Sequence, residues 1–168
     1  LHVLEKELAV KGYKTHLTSS KQRNARILCL SSSHQLTPYR KLYKNLNIEI
    51  DLNFDLFWGE YEGKRIDISE FLSDTIEMNI YGCKIKTLPA LKAMVQLILH
   101  HYKEMNSIYH LSRHNCINYN MFRDIYYLWK NNQETISLEK LYAISLEYEI
   151  IPYVFYVLHF TNWIFKDT

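Results

Sequence analysis

The chain has 168 residues, of which 48% are apolar and 23% charged, enough for one domain or two small ones with a sizeable core. Its net charge of +2 gives no reason to expect binding to nucleic acid or to an anionic membrane. Three cysteines lie far apart without a C-x-x-C spacing, which indicates reduced thiols in a cytoplasmic protein and no disulfide partner. The longest apolar stretch, residues 150–165, contains polar residues and is too short for a membrane span.

The first predicted element is a helix, because leucines recur at helical spacing and Gly12 follows where a helix would end. The chain begins at Leu1 inside this pattern, so we expect further sequence upstream of it. Short strands are then predicted over residues 13–17 and 25–31. Residues 31–47 are predicted to be mostly loop, with room for one helical turn near residue 43.

The most regular pattern in the chain is an alternation over residues 48–58, which predicts a long strand. Apolar residues occupy one face of it, and Glu49 and Asp51 lie on the other, with Cα atoms about 7 Å apart. Two carboxylates so placed repel each other unless a cation lies near them, and Mg²⁺ is the usual cation where phosphoryl groups are handled. The alternative is an ordinary strand with one solvated face.

The second half of the chain changes to a helical period. Before it, Asp67 is predicted to cap a short helix, and the strands of a small hairpin flank Gly82. From residue 87 onward the apolar stripes predict four helices that form a bundle. The residues predicted to cap or open these helices are Thr87, Asn120, Ser137 and Pro152.

Several polar residues of the helical region are candidates for metal binding or for ion pairing. His110 and His114 are four apart and could share a helix face as metal ligands, but no third ligand follows from the spacing. His100, near the end of the first helix, fits a hydrogen-bonded histidine at the edge of the core better than a ligand. Asp124 lies beside an apolar face, where it is predicted to pair with a cation if it is buried; the candidate partners are Arg113, Arg123 and His100.

Four short motifs, taken in order, resemble those of a known family. LEKELAVKGYKTH resembles its opening helix and Gly-Tyr strand, and IEIDLNFDL its acid-bearing strand, in which His often stands where this chain has Asn53. IYGCKIKTLPALKAMVQLILHHYKEMN resembles its Gly-containing hairpin and following helix, and FRDIYYLW its Asp-bearing helix. The family is the uncharacterised bacterial nucleotidyltransferase family, within the polymerase-β-like nucleotidyltransferase superfamily.

The resemblance implies an α+β fold with two parts. Residues 1–86 would form a partial nucleotidyltransferase-like mixed sheet with helices, and residues 87–168 an α-helical bundle. Superfamily enzymes hold two Mg²⁺ ions with three acids, and the similarity places the third acid at Asp51, as catalytic residue and metal ligand, with Glu49 as a further candidate ligand. The Gly-Ser turn and Asp-x-Asp strand that supply the other acids have no counterpart in this chain and would lie upstream of Leu1.

The implied reaction is metal-dependent transfer of a nucleoside monophosphate from a nucleoside triphosphate (NTP) to an unknown acceptor, which could be a small molecule, a protein or RNA. Arg40, Lys41 and Lys44 are candidates to contact the nucleotide phosphates, although solvated loop charges would look the same. On this hypothesis the chain is incomplete or inactive alone. One alternative is a non-catalytic interaction or scaffold domain whose Tyr-rich bundle docks a protein. Another is a toxin-type nucleotidyltransferase acting on RNA or a protein.

Overall fold

The computed structural model describes residues 2–15, 38–56, 66–106, 112 and 117–166. In these ranges the architecture is α+β: two small antiparallel hairpins followed by a packed bundle of helices. Contacts divide the chain into two compact units, Leu1–Arg65 and Ile66–Thr168. The domain boundary placed at residue 87 from the change of period stays a prediction. Across the ranges given above, no helix is both long and apolar enough to cross a membrane.

Helix α1 spans His2–Val10 and ends where the sequence predicts. Gly12 has a φ of +83°, a conformation that glycine enters without a Cβ clash, and its N–H donates to the Ala9 carbonyl over 3.0 Å. The Tyr39 hydroxyl donates a 2.9 Å hydrogen bond to the Glu5 carboxylate, which fixes the helix to the strand that begins at Tyr39. Lys14 forms an isolated antiparallel bridge with Arg40.

A tight turn makes the first hairpin. Strands β1 (Tyr39–Tyr43) and β2 (Leu46–Ile50) are antiparallel and pair from Tyr39 opposite Ile50 to Tyr43 opposite Leu46. The two turn residues, Lys44 and Asn45, have φ of +45° and +66°, the signs that a type I′ turn requires. This turn matches the right-handed twist of the flanking strands, so the hairpin closes with two connecting residues.

Two sequence-based expectations fail in this hairpin. Residues 39–43 form a strand where a loop or helical turn was expected, because the type I′ turn returns the chain directly onto β2. The strand predicted over residues 48–58 ends at Ile50, and residues 51–56 lie outside any strand. Beyond Ile50 the pairing is not continuous, and within residues 51–56 only Asn53 forms a bridge, an isolated one. The strand predicted over residues 25–31 lies outside the described ranges.

The second unit opens with a short capped helix and a hairpin, both as predicted. Helix α2 spans Ile68–Phe71, and the Asp67 carboxylate accepts from the backbone N–H groups of Ser69 and Glu70 at 2.8 and 3.2 Å. Strands β3 (Ile76–Ile80) and β4 (Cys83–Thr87) then pair across a turn whose central residues have positive φ. Cys83 is an exposed free thiol; the other two cysteines lie outside the described ranges.

Helix α3 (Ala90–Asn106) packs against α4 (Tyr119–Asn131), α5 (Leu138–Glu147) and α6 (Ile151–Phe165). The core is built from apolar side chains with almost no solvent exposure: Met94, Val95, Ile98, Leu99, Ile125, Leu141 and Val157. Tyrosine rings add to this core near the helix ends. The ring centroids of Tyr102 and Tyr153, for example, lie 4.7 Å apart. The hydroxyls of Ser145 and Thr161 are buried and donate to carbonyls of their own helices.

Lys92 on α3 ties α2 to the bundle. Its ammonium group donates to the Phe71 carbonyl over 2.9 Å and forms an ion pair with Asp74. The Phe71 ring is buried and lies 5.9 Å from the ring of Tyr148, which ends α5. The aliphatic stem of Lys92 thus lies in a largely buried position while its charge is fully partnered.

The helix boundaries confirm the predicted period and correct two caps. Ser137 caps α5 and Pro152 lies in the first turn of α6, as predicted. Thr87 does not cap α3, because it is the last residue of β4 and the helix begins after Pro89. Asn118, and not Asn120, caps α4: its backbone is extended and its side chain accepts from the Met121 N–H, whereas Asn120 is already helical.

The cap of α5 gives a modest test of this packing. Replacing Ser137 with alanine leaves the Lys140 N–H without its 3.3 Å side-chain acceptor, so the free energy of unfolding is expected to fall by about 1 kcal/mol. Ser137→Asn, which keeps a capping oxygen, is expected to lose much less. Urea denaturation of both variants measures the difference, and equal losses would contradict the capping role.

Candidate functional site

Glu49, one of the two acids predicted to hold a metal, is paired with an arginine in the hairpin. It lies directly opposite Arg40, whose Nε and Nη2 donate to the two carboxylate oxygens over 3.0 and 3.2 Å. This is a bidentate charge-assisted pair, and the hydrogen bond to Glu49 raises the pKa of Arg40 further above its usual value. Both carboxylate oxygens of Glu49 therefore accept a hydrogen bond from Arg40.

Asp51 lies immediately after β2, beyond the last paired residue. Its side chain is exposed, and within the described ranges no side chain or backbone group donates a hydrogen bond to it. The negative charge of Asp51 also raises the pKa of Arg40, by less than Glu49 does. Asp51 is thus the acid of this region with an available carboxylate.

The three basic residues predicted to contact phosphates all lie on β1 or its turn, within one short hairpin. Arg40 is engaged by Glu49, and Lys41 donates a 2.6 Å hydrogen bond to the Lys11 carbonyl. The Lys41 ammonium group also lies 5.5 Å from the centre of the Tyr13 ring, and that of Lys44 lies at the same distance from the Tyr43 ring. Of the three, Lys44 at the turn is the one whose side chain makes no hydrogen bond to the residues described.

A second group of possible ligands lies on α3, and no metal-ligand spacing in the sequence predicts it. His100, His101 and Glu104 each offer one ligand atom, and these three atoms all lie within 4.8 Å of one another. Glu104 reaches both histidines because it is four residues from His100 and three from His101, the two spacings at which helical side chains meet. The Nε2 atom of His100 lies 3.2 Å from a carboxylate oxygen of Glu104.

His101 is the unusual member of this group. It is 7% exposed, and neither ring nitrogen has a hydrogen-bond partner. Burial, with a smaller contribution from neighbouring His100, lowers its pKa to about 4, so the imidazole is neutral at pH 7. Two carboxylates act in the opposite direction and raise the pKa of His101: Glu104 on the same helix and Asp124 on α4. Their negative charges favour a cation near the His101 ring.

The sequence contained a signal for this burial. His101 lies three residues after Ile98 and seven after Met94, so it falls on the same stripe as two core residues. The sequence pattern draws attention to the adjacent His100 and not to His101, and the His100 side chain is half-exposed. His110 and His114, the other pair considered, lie outside the described ranges.

Asp124 is exposed, so the burial under which the sequence predicts an ion pair is not present, although its side chain does contact Arg123, one of the three candidates. Its carboxylate accepts from Arg123 Nη2 over 3.2 Å. Both side chains are about half exposed, so this pair is a solvated contact of small energetic value.

The bundle also carries an apolar groove of about 620 Å³. Side chains of three helices line it, among them Ile125, Trp129, Leu138, Phe155 and Leu158. Phe155 and Leu138 are largely exposed to solvent. Exposed apolar surface of this kind is typical of a docking site for another apolar group.

Comparisons of the chain with protein-family models, with curated proteins and with solved structures found no match.

Proposed function

We propose that this chain is part of a nucleotidyltransferase-family protein and that residues 1–86 form a partial nucleotidyltransferase-like mixed sheet with helices. The intact protein would transfer a nucleoside monophosphate from an NTP to an acceptor, with Mg²⁺ as the cofactor. The support is the order of the motifs, which begin on α1, at the end of β2 with Asp51 directly after it, at hairpin β3–β4 followed by α3, and on α4 in turn. An acid, a hairpin, a helix and an Asp-bearing helix thus follow in the sequence that the resemblance implies.

The observation that carries the proposal is the state of Asp51. A carboxylate that is to hold Mg²⁺ must not already be committed to a protein cation, and Mg²⁺ in nucleotide sites is held by one or two carboxylates together with substrate phosphates. Asp51 meets this requirement, whereas Glu49 is held by Arg40. A single available carboxylate therefore fits a metal that arrives together with its triphosphate.

The chemistry that Mg²⁺ supplies in such a site is stabilisation of charge on the phosphates during in-line displacement. In this chain Asp51 would hold the metal, and Lys44 would contact a phosphate oxygen from the exposed turn. Arg40 and Lys41 could do so only after leaving Glu49 and the Lys11 carbonyl, respectively. We therefore rank Lys44 above the other two as the phosphate contact.

The test measures metal-dependent nucleotide binding by the chain and not nucleotidyl transfer. Transfer would also need the acids of the Asp-x-Asp motif, which are not within its 168 residues. Binding of Mn²⁺ in the presence of ATP or CTP, followed by electron paramagnetic resonance, is expected to weaken by about tenfold or more in Asp51→Asn. Glu49→Gln is the matched control and is expected to change binding much less, because that carboxylate serves Arg40. Unchanged binding in Asp51→Asn, with the fold retained, would remove Asp51 from the mechanism.

The apolar groove of the bundle favours a second candidate, the non-catalytic interaction or scaffold domain. Its lining would accept the apolar side chains of a protein partner, and Trp129 within it would report occupancy by a change in fluorescence. Failure of the Asp51→Asn test would leave this candidate as the better account of the chain.

A further inference from the structure

We propose that His100, His101 and Glu104 form a binding site for a zinc-type divalent metal ion on α3. The site is separate from the Mg²⁺ site proposed at Asp51 in its residues, its ligand chemistry and its position in the chain. It would bind zinc whether or not the chain handles nucleotides.

The first argument is convergence. Two imidazoles and one carboxylate place their ligand atoms within 4.8 Å of one another, and one pair of them is already 3.2 Å apart. Ligand atoms around a tetrahedral Zn²⁺ with bonds of about 2.0–2.1 Å lie about 3.4 Å from each other. The pair formed by His100 and Glu104 has this spacing, so closing the site requires His101 to bring one ring nitrogen closer to the other two ligand atoms, from a separation of at most 4.8 Å.

The second argument is the unsatisfied imidazole. A buried polar atom without a partner is rare in a folded protein, and each one needs a physical explanation such as a bound water or ion. Both ring nitrogens of His101 are in this state, in a residue that is 93% buried, given its exposure of 7%. A metal ion would accept the lone pair of one nitrogen and satisfy it.

The third argument is charge. The carboxylates of Glu104 and Asp124 place negative charge near His101. A cation would therefore enter a site that attracts positive charge.

The ligand set selects the type of metal. Imidazole nitrogens suit Zn²⁺ and its neighbours in the first transition row, whereas Mg²⁺ and Ca²⁺ prefer a set made of oxygens. Three protein ligands would leave one position of a tetrahedral ion for water or another ligand. The side chains of His100 and Glu104 are 43% and 26% exposed, so an ion can reach the site from solvent.

The experiment uses the whole chain after removal of metals with a chelator. Titration with Co²⁺, read by visible absorption, followed by displacement with Zn²⁺, is expected to show one site per chain. The affinity for Zn²⁺ is expected to fall about a hundredfold in His101→Leu and in Glu104→Gln. His101→Leu keeps the volume of a buried side chain, and Glu104→Gln changes a partly exposed one, so at least one variant is expected to fold.

Two controls separate this site from other histidines. His159→Gln, an exposed position on α6, and the double variant His110→Gln with His114→Gln are both expected to bind Zn²⁺ like the parent. In the parent, the nitrogen resonances of His101 are expected to shift on addition of Zn²⁺. Absence of Zn²⁺ binding, or binding that survives both His101→Leu and Glu104→Gln, overturns the proposal; Asp51→Asn is expected to leave it unaffected.

Discussion

Replacing Ile98 with alanine is expected to lower the free energy of unfolding by about 4 kcal/mol. Ile98 has no solvent exposure and lies in the middle of α3, the helix that packs against the other three of the bundle. Truncation removes three carbon atoms from a site where neighbouring helices cannot close the gap, so the lost transfer energy and the cavity both contribute. The loss would be a large fraction of the total stability of a small domain.

Urea denaturation followed by circular dichroism gives this difference directly, provided that the slope of the transition stays constant. Ile98→Val is expected to lose about 1 kcal/mol. Ile85→Ala on β4 is the matched surface control, since that side chain is 42% exposed, and it is expected to change stability little. A loss below about 1 kcal/mol in Ile98→Ala would be incompatible with the close packing of α3.

Acidification from pH 6.5 to 4 is expected to destabilise the second unit through His101, by roughly 3 kcal/mol in all. The pKa of His101 is lowered to about 4 in the folded chain, from an ordinary value of 6.5. Between these values the unfolded chain binds a proton that the folded chain does not. The contribution is therefore fully present above pH 6.5 and is lost progressively as the pH falls to 4.

The comparison with His101→Leu isolates this contribution from the carboxylates that titrate in the same range. Measured in chelator at each pH, the parent is expected to lose stability more steeply than the variant between pH 6.5 and 4. The leucine variant is also expected to be at least as stable as the parent at pH 7, because two unpartnered ring nitrogens are removed. Parallel pH profiles of the two proteins would show that His101 titrates normally.

The helical half of the fold could be predicted because its signals are local. The apolar stripe of α3, the cap at Ser137 and the proline at the start of α6 each act within one or two turns of helix, and the structure follows them. The cap of α4 was misplaced by two residues, since Asn118 and Asn120 are both good capping residues and only the backbone conformation distinguishes them.

The first hairpin could not be predicted, because its turn lacks the usual glycine. Lys44 and Asn45 adopt positive φ without one, so the sequence around them reads as a loop. The alternation after Ile50 continues as a sequence pattern, but a strand also needs a partner along its length, and within residues 51–56 only Asn53 forms a bridge, an isolated one. Periodicity reports which face of a segment is apolar and does not report whether another strand pairs with it.

The metal-binding features were predicted unevenly for a related reason. Asp51 could be named from the alternating pattern around it and from the resemblance of that motif to the family's acid-bearing strand. Its side chain is exposed, as a metal ligand at a surface would be, and its role as a ligand stays a prediction. The pairing of Glu49 with Arg40 depends on a register that only the turn defines. The burial of His101 depends on how three other helices cover α3, which no short window of sequence contains.

The second hairpin, β3–β4, has two strands, and within the described ranges no further strand pairs with either edge. Nearly all of its residues are exposed, including Met78, Ile80 and Ile85. Such edges offer unpaired backbone groups to the strands of other molecules, and apolar side chains make that pairing more favourable. Charged residues alternate with these apolar ones, Glu77 on one strand and Lys84 and Lys86 on the other. Their charges would oppose stacking of like edges, so the same hairpin that exposes apolar side chains also carries its own protection against aggregation.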